Sequence, residues 1–198
     1  MKDRTATLTR ETGETQISVE INVDGKGNYD LNIGNGMFEH LLAQLSRHGL
    51  IDLQMKVTGD TQTGWHHIVE DSAIVLGRAL RLAVGEGVGI TRMAHAYVPL
   101  DEALALSVVD FSGRGYCVIE AQIEDSDLND LPANLIHHFL ESMAREAGFN
   151  LHIRLLSGTN NHHKAEAIFK SLARALRASL SIDARRSETI PSTKGTIS

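Results

Sequence analysis

Two short stretches of this chain combine residues that bind metal ions. His66-His67-Ile68-Val69-Glu70 and His162-His163-Lys164-Ala165-Glu166 both read HHxxE. In a chain of this composition one such match arises by accident about once in thirty sequences, and two far more rarely. Imidazole with carboxylate suits Mn, Fe, Zn, Co or Ni. A single cysteine, Cys117, excludes a thiolate-rich structural zinc site and an internal disulfide. On a helix, neighbouring residues point about 100° apart, while residues four apart share a face. His66 and His67 therefore diverge, and Glu70 can join either, so each HHxxE is expected to reach two metals. Two ions follow for the two motifs, each with about three His and one Glu and with positions left for substrate or water. A divalent ion that accepts six ligands fits this count, Mn²⁺ first, and zinc fits it less well.

The elements that carry these motifs are themselves written twice. FEHLLAQLSRHGLIDLQMKV (38–57) aligns with IHHFLESMAREAGFNLHIRL (136–155), and each is followed by a loop and an HHxxE that opens a helix. His40 falls on His138. The metal-ligand candidates are thus His40, His66, His67, Glu70, His138, His162, His163 and Glu166. A repeat of roughly 96 residues marks a duplicated α+β unit and not a short-period solenoid. Apolar alternation predicts strands over 4–10 and 15–23 that read as a hairpin, with Asp24-Gly25-Lys26-Gly27 as a turn. Further strands are expected over 50–58, near 92–98, 103–111 and 115–123, and over 149–156. Helices are expected over 37–47 (stopped by Gly49), 66–84, 133–147 and 162–180, with an acidic loop over 124–130. The fold class is α+β: two fused repeats, each a sheet with two helices packed on one face. The repeats divide as 1–90 and 91–182, followed by a tail, 183–198.

The halves also differ in ways that bear on a substrate. Lys170 follows Glu166 by four residues and shares its face, where the first half has Ile74. A cation beside a metal site points to an anionic substrate arm. Arg92, Arg114 and Lys194 are further candidates, the last in Pro191-Ser192-Thr193-Lys194-Gly195, a turn suited to phosphate. His48 reads equally as a helix-end cap favoured by the dipole or as a site residue. His95, His137 and His152 read as packing or surface residues. The net charge of −6 argues against a nucleic-acid partner. No apolar run is long enough to span a membrane, and MKDRTATLTRETGE lacks the apolar region of a secretory signal, so the expected setting is the cytoplasm. Two rival readings are a hydrolase using metal-bound hydroxide and a non-catalytic shell glued by metal. HHxxE is not HExxH, and a shell has no use for Lys170 or the tail.

Seven motifs in order, RETGET (10–15), GMFEHLL (36–42), HHIVED (66–71), YVPLDEAL (97–104), VDFSGR (109–114), NNHHKAEAIFK (160–170) and PSTKG (191–195), carry a resemblance to the imidazoleglycerol-phosphate dehydratase family of histidine biosynthesis. It extends from about Arg4 to Gly195. The resemblance implies a fold similar to the second domain of ribosomal protein S5, two Mn²⁺ ions per active site, and active sites at subunit interfaces of a 24-subunit homo-oligomer with octahedral symmetry. It places the metal ligands on the eight candidates above and substrate contacts on Glu14, Gln44, His48, Arg92, Arg114, Lys170, Ser192 and Lys194. The implied reaction removes water from imidazole glycerol phosphate to give imidazole acetol phosphate, through a metal-bound imidazolate and a diazafulvene. Glu14, Glu166 and His48 are the candidates for proton transfer, and a metal-bound Glu is the poorer base, which favours Glu14. The chain departs from the family at Glu39, where Asp is usual, at Gly64 and Trp65, where acidic residues are usual, and at Ile68, where Thr is usual.

Overall fold

Strand β2 (Thr15–Asn22) shows what builds the first sheet: Ile17, Val19 and Ile21 are buried while Gln16 and Glu20 face out. It pairs antiparallel with β1 (Thr5–Glu11) and with β4 (Asp52–Gly59). A short edge strand, β3 (Tyr29–Asn32), runs parallel to β4. The computed structural model describes residues 3–123 and 127–197. The second sheet has β5 (Met93–Leu100), β6 (Ala103–Asp110), β7 (Tyr116–Glu120) and β10 (Asn150–Ser157). The orders β1-β2-β4-β3 and β5-β6-β10-β7 are the same path taken twice, with the last pair parallel in each. That identity is the fold-level form of the duplication.

Helices α1 (Gly36–Gly49) and α2 (His66–Val84) pack on the first sheet, and α3 (Asn134–Ala147) and α4 (Asn161–Leu180) on the second. The two helix pairs then meet crosswise, α1 on α4 and α2 on α3. Phe139 joins them, edge-on to Phe38 at 5.2 Å and stacked near Phe169 at 5.7 Å. The buried apolar residues form one continuous cluster across both halves. Among the described residues no helix is long and apolar enough to cross a membrane.

Caps fix where the helices start. Asn35 accepts the Phe38 N–H at 2.8 Å, and Asn160 accepts those of His162 and His163 at 2.9 and 3.2 Å. Helix α2 starts at Trp65 with no side-chain cap. Two expectations shift. Gly49 is the last helical residue, and the left-handed cap falls on Leu50 at φ 53°. Strand β3 was not expected: all but Leu31 of its four residues are exposed, so it carries no apolar alternation. Of the acidic loop, residues 124–126 lie outside the described residues. The rest forms β8 (Asp127–Leu128) and the turn that leads into β9 (Leu131–Pro132), which pairs with it antiparallel.

Candidate functional site

The crosswise helix packing decides how the histidines meet. His40 on α1 joins His162 and Glu166 on α4, and His138 on α3 joins His66 and Glu70 on α2. Each group takes its lone His from one half and its HHxxE from the other, and within each group the ligand atoms lie within 4.8 Å of one another. His40 Nε2 and His162 Nε2 are each 3.1 Å from Glu166 Oε2. His66 Nε2 and His138 Nε2 lie 3.7 and 3.4 Å from the Glu70 oxygens. Neighbouring ligands on an octahedral ion at about 2.2 Å are separated by roughly 3.1 Å, so the spacing fits a shared cation. A second observation agrees: His138 Nε2 is buried and has no hydrogen-bond partner among the described residues. A buried nitrogen without a donor or acceptor is costly unless something else engages it.

The second His of each pair points elsewhere, as the helical geometry requires. The His66 and His67 rings lie 81° apart in plane, and those of His162 and His163 lie 83° apart. His67 Nδ1 is 3.6 Å from Glu14 Oε2, and His163 Nδ1 is 2.8 Å from Glu102 Oε2. Within one chain each group therefore has two imidazoles and one carboxylate, one imidazole short of the expected set.

Along the α1–α4 seam, His40, Gln44 and His48 line one helix at four-residue spacing. Glu166, Lys170 and Arg174 line the other. Lys170 Nζ meets Glu166 Oε1 at 2.6 Å. Burial alone would raise the Glu166 carboxyl, but the Lys170 and His40 contacts outweigh it and bring it down to about 2. Gln44 Oε1 lies 3.2 Å from His48 Nε2. Burial first, then the Lys170 and Arg174 charges, lower the His48 pKa, so its imidazole is neutral at pH 7. The matching α2–α3 seam is closed by Arg78 and Glu146 at 2.7 Å.

The remaining candidates lie far from both groups. Arg92 donates to Asp110 Oδ1 at 2.7 Å and to the Pro191 carbonyl at 2.9 Å, which ties the tail to the second half. Gly195 follows Ser192 in a turn, and Ser192 Oγ accepts the Lys194 N–H at 3.2 Å. Gly113, next to the exposed Arg114, lines a cavity with Gly85 and Gly195. This region sits at the C-terminal end of α2. Glu70 is at the other end, roughly 22 Å away by helical rise. The tail residues and the His/Glu groups of one chain are not brought together.

Sequence reasoning missed Glu102, although it lies in YVPLDEAL. It also missed the link between RETGET and HHIVED: Asp71, 7% exposed, accepts from Thr15 Oγ1 at 2.5 Å and pairs with Arg10 at 2.6 Å. Among the departures, Glu39 accepts the Ile33 and Gly34 N–H groups at 2.7 and 2.9 Å, a role any carboxylate of similar reach fills. Ile68 is buried at 1%. His95 and His152 are exposed on the second sheet and His137 is exposed on α3, and none joins a group. Burial, then Glu141, pushes the Cys117 thiol up to about 12, which leaves it unreactive.

The comparisons with known proteins agree with one another. The family described as "Imidazoleglycerol-phosphate dehydratase" matches residues 33–176. An imidazoleglycerol-phosphate dehydratase of Dehalococcoides mccartyi (strain CBDB1) is 50% identical over 195 residues, covering 98% of each chain. That of Chloroflexus aurantiacus is 48% identical, covering 98% of this chain and 95% of its own. The crystal structure of the Staphylococcus aureus enzyme superposes with a TM-score of 0.82 at 31% identity, covering 90% of this chain and 99% of that one. The Pyrococcus furiosus structure, in complex with (S)-C348, gives 0.80 at 33% identity, covering 95% and 99%.

Proposed function

The chain belongs to the imidazoleglycerol-phosphate dehydratase family, hydro-lyases of histidine biosynthesis, and we propose that it removes water from imidazole glycerol phosphate with two Mn²⁺ ions per active site. The pair of crossed His/Glu groups at duplicated positions carries this reading. His40, His162 and Glu166 would hold one ion, and His66, Glu70 and His138 the other. The missing imidazole of each set, His67 or His163, is supplied by a neighbouring chain. When bound, the ions act as Lewis acids toward the substrate imidazole.

The chain's own residues then have distinct tasks. Glu14 takes the proton from the carbon next to the one that bears the leaving hydroxyl, and the C–O bond breaks as the C=C bond forms. The departing hydroxide gains a proton in place of the one Glu14 took and leaves as water, and the enol becomes the ketone. Glu14 suits this because its side chain is 57% exposed and, among the described residues, reaches only His67, at 3.6 Å. Glu166 suits it less because both of its oxygens are engaged. Neutral His48 with Gln44 is a second proton relay on the same seam as Lys170. Lys170, Arg92, Arg114, Ser192 and Lys194 hold the phosphate and fix the pose. The distance between the His/Glu groups and the tail 183–198 favours active sites shared between chains, in a 24-subunit particle. A cytoplasmic setting suits a chain with a single, half-buried thiol.

The test is ketone formation by metal-stripped protein with and without Mn²⁺. Turnover only with Mn²⁺ supports the reading, and silence in both tubes with metal bound refutes it. Glu14→Gln is expected to cut kcat by about 10²–10⁴ with Mn²⁺ binding unchanged. Wild-type turnover by this variant would remove Glu14 from the chemistry.

A further inference from the structure

The duplication extends to a pair of carboxylates on the sheet hairpins. Glu14 ends the β1–β2 turn and Glu102 ends the β5–β6 turn, each directly before the second strand. The Glu14 carbonyl accepts the Asp60 N–H at 3.0 Å as the first sheet hands over to the loop before α2. The Glu102 carbonyl accepts Ser157 Oγ at 2.9 Å at the matching place before α4. Each side chain faces the second His of its own half. Their surroundings differ. Among the described residues no backbone N–H donates to the Glu14 carboxylate. Glu102 Oε1 accepts the N–H groups of Thr159 and Asn160 at 3.0 and 2.8 Å and Thr159 Oγ1 at 3.3 Å. The loop that opens α4 thus clamps one oxygen and aims the other at His163 Nδ1, 2.8 Å away.

We propose that Glu102 is a positioning residue: its carboxylate accepts a hydrogen bond from the Nδ1–H of His163, which fixes the ring's tautomer and presents the Nε2 lone pair outward to the metal. This rests on the reading of His163 as a ligand. Metal-binding imidazoles usually donate their other N–H to a carboxylate, which sets tautomer and orientation. Among the described residues the acidic group that approaches Nε2 is Asp101, at 3.8 Å, beyond hydrogen-bond reach. The two hairpin carboxylates have thus divided the work. Glu102 is locked to the loop and its His, while Glu14 stays free to meet substrate.

Glu102→Gln discriminates this from a loop cap. The amide oxygen must face the two backbone N–H groups, so the NH₂ faces His163 Nδ1. An NH₂ donates, so the ring proton moves to Nε2 and blocks the lone pair. Mn²⁺ affinity, read from the free-ion EPR signal as the full chain is titrated, is expected to fall about 10- to 100-fold, with the melting point of the metal-free protein unchanged. His163→Ala sets the loss expected from removing the ligand, and Glu102→Gln should add nothing in that background. Thr159→Ala, which removes a loop contact without touching the ring, should bind as wild type does. Wild-type affinity of Glu102→Gln beside a weakened His163→Ala would reduce Glu102 to a loop cap and leave His163 a ligand. A further loss on top of His163→Ala would mean that Glu102 acts through the loop, which also overturns the proposal. Wild-type binding by His163→Ala would remove the ligand reading itself.

Discussion

Glu166 is the most constrained side chain of the site, with Oε2 facing His40 and His162 and Oε1 on the Lys170 ammonium. Its carboxyl lies at about 2 in the folded chain against an ordinary 4.5. A carboxyl held below its unfolded value stabilises the fold fully above the unfolded pKa, and that contribution drains away as pH falls toward the folded one. In the metal-free chain the window is therefore pH 4.5 down to about 2, worth at most about 3 kcal/mol and, once solvent screening is taken off, on the order of 2 kcal/mol. Lys170→Met removes the main favourable partner. Denaturant unfolding at pH 5 and pH 3 should show a smaller acid-induced loss in this variant than in wild type. Equal losses would mean that Lys170 does not hold Glu166 down. The HHxxE spacing was readable from sequence because it occurs twice. Glu102 was not, although its motif was in view. It lies 88 residues from Glu14 where the HHxxE pairs lie 96 apart, so the overlay that matched the helices slid past it.

Each His/Glu group exists only while two helices from different halves stay in register. Gly77 sits in the α2–α3 contact, where an added Cβ would lie 2.7 Å from the Met143 carbonyl oxygen and 2.8 Å from Glu146 Cβ. Gly77→Ala must push these helices apart, at a cost of about 1–3 kcal/mol. The His66–Glu70–His138 group should loosen while His40–His162–Glu166 stays intact. Mn²⁺ titration of this variant should lose one class of bound ion and keep the other. Loss of both or of neither would deny that the groups are independent. Helix starts offer a second check. Asn160→Ala removes two cap bonds at α4 and should lower stability by about 1 kcal/mol, measured by denaturant midpoint. The Trp65 start of α2 has no such bond to lose.

At the scale of the whole molecule, a single chain separates what the reaction needs together. The tail with Ser192 and Lys194 and the Glu70 group sit at opposite ends of α2, so the proposed site would take residues from more than one chain. The proposed sharing of sites between chains predicts complementation. His162→Ala and Lys194→Ala chains, each inactive alone, should regain activity when dissociated, mixed in equal amounts and reassembled. If each site takes its metal group from one chain and its tail from another, random mixing restores about one quarter of the sites. No recovery would place both parts in the same chain.

The sequence by itself determined the candidate ligand residues, the duplication, the four long helices and most of the strands, and the family. These are local or periodic properties, and apolar spacing, caps and repeated motifs write them directly into the chain. Only the tertiary structure decided which lone His meets which HHxxE. That depends on α1 facing α4 and α2 facing α3, a packing outcome between segments more than a hundred residues apart in the first case, which no local pattern encodes. It also decided that Glu102 is clamped and Glu14 free, because the difference lies in which backbone N–H groups the folded loop brings to each carboxylate.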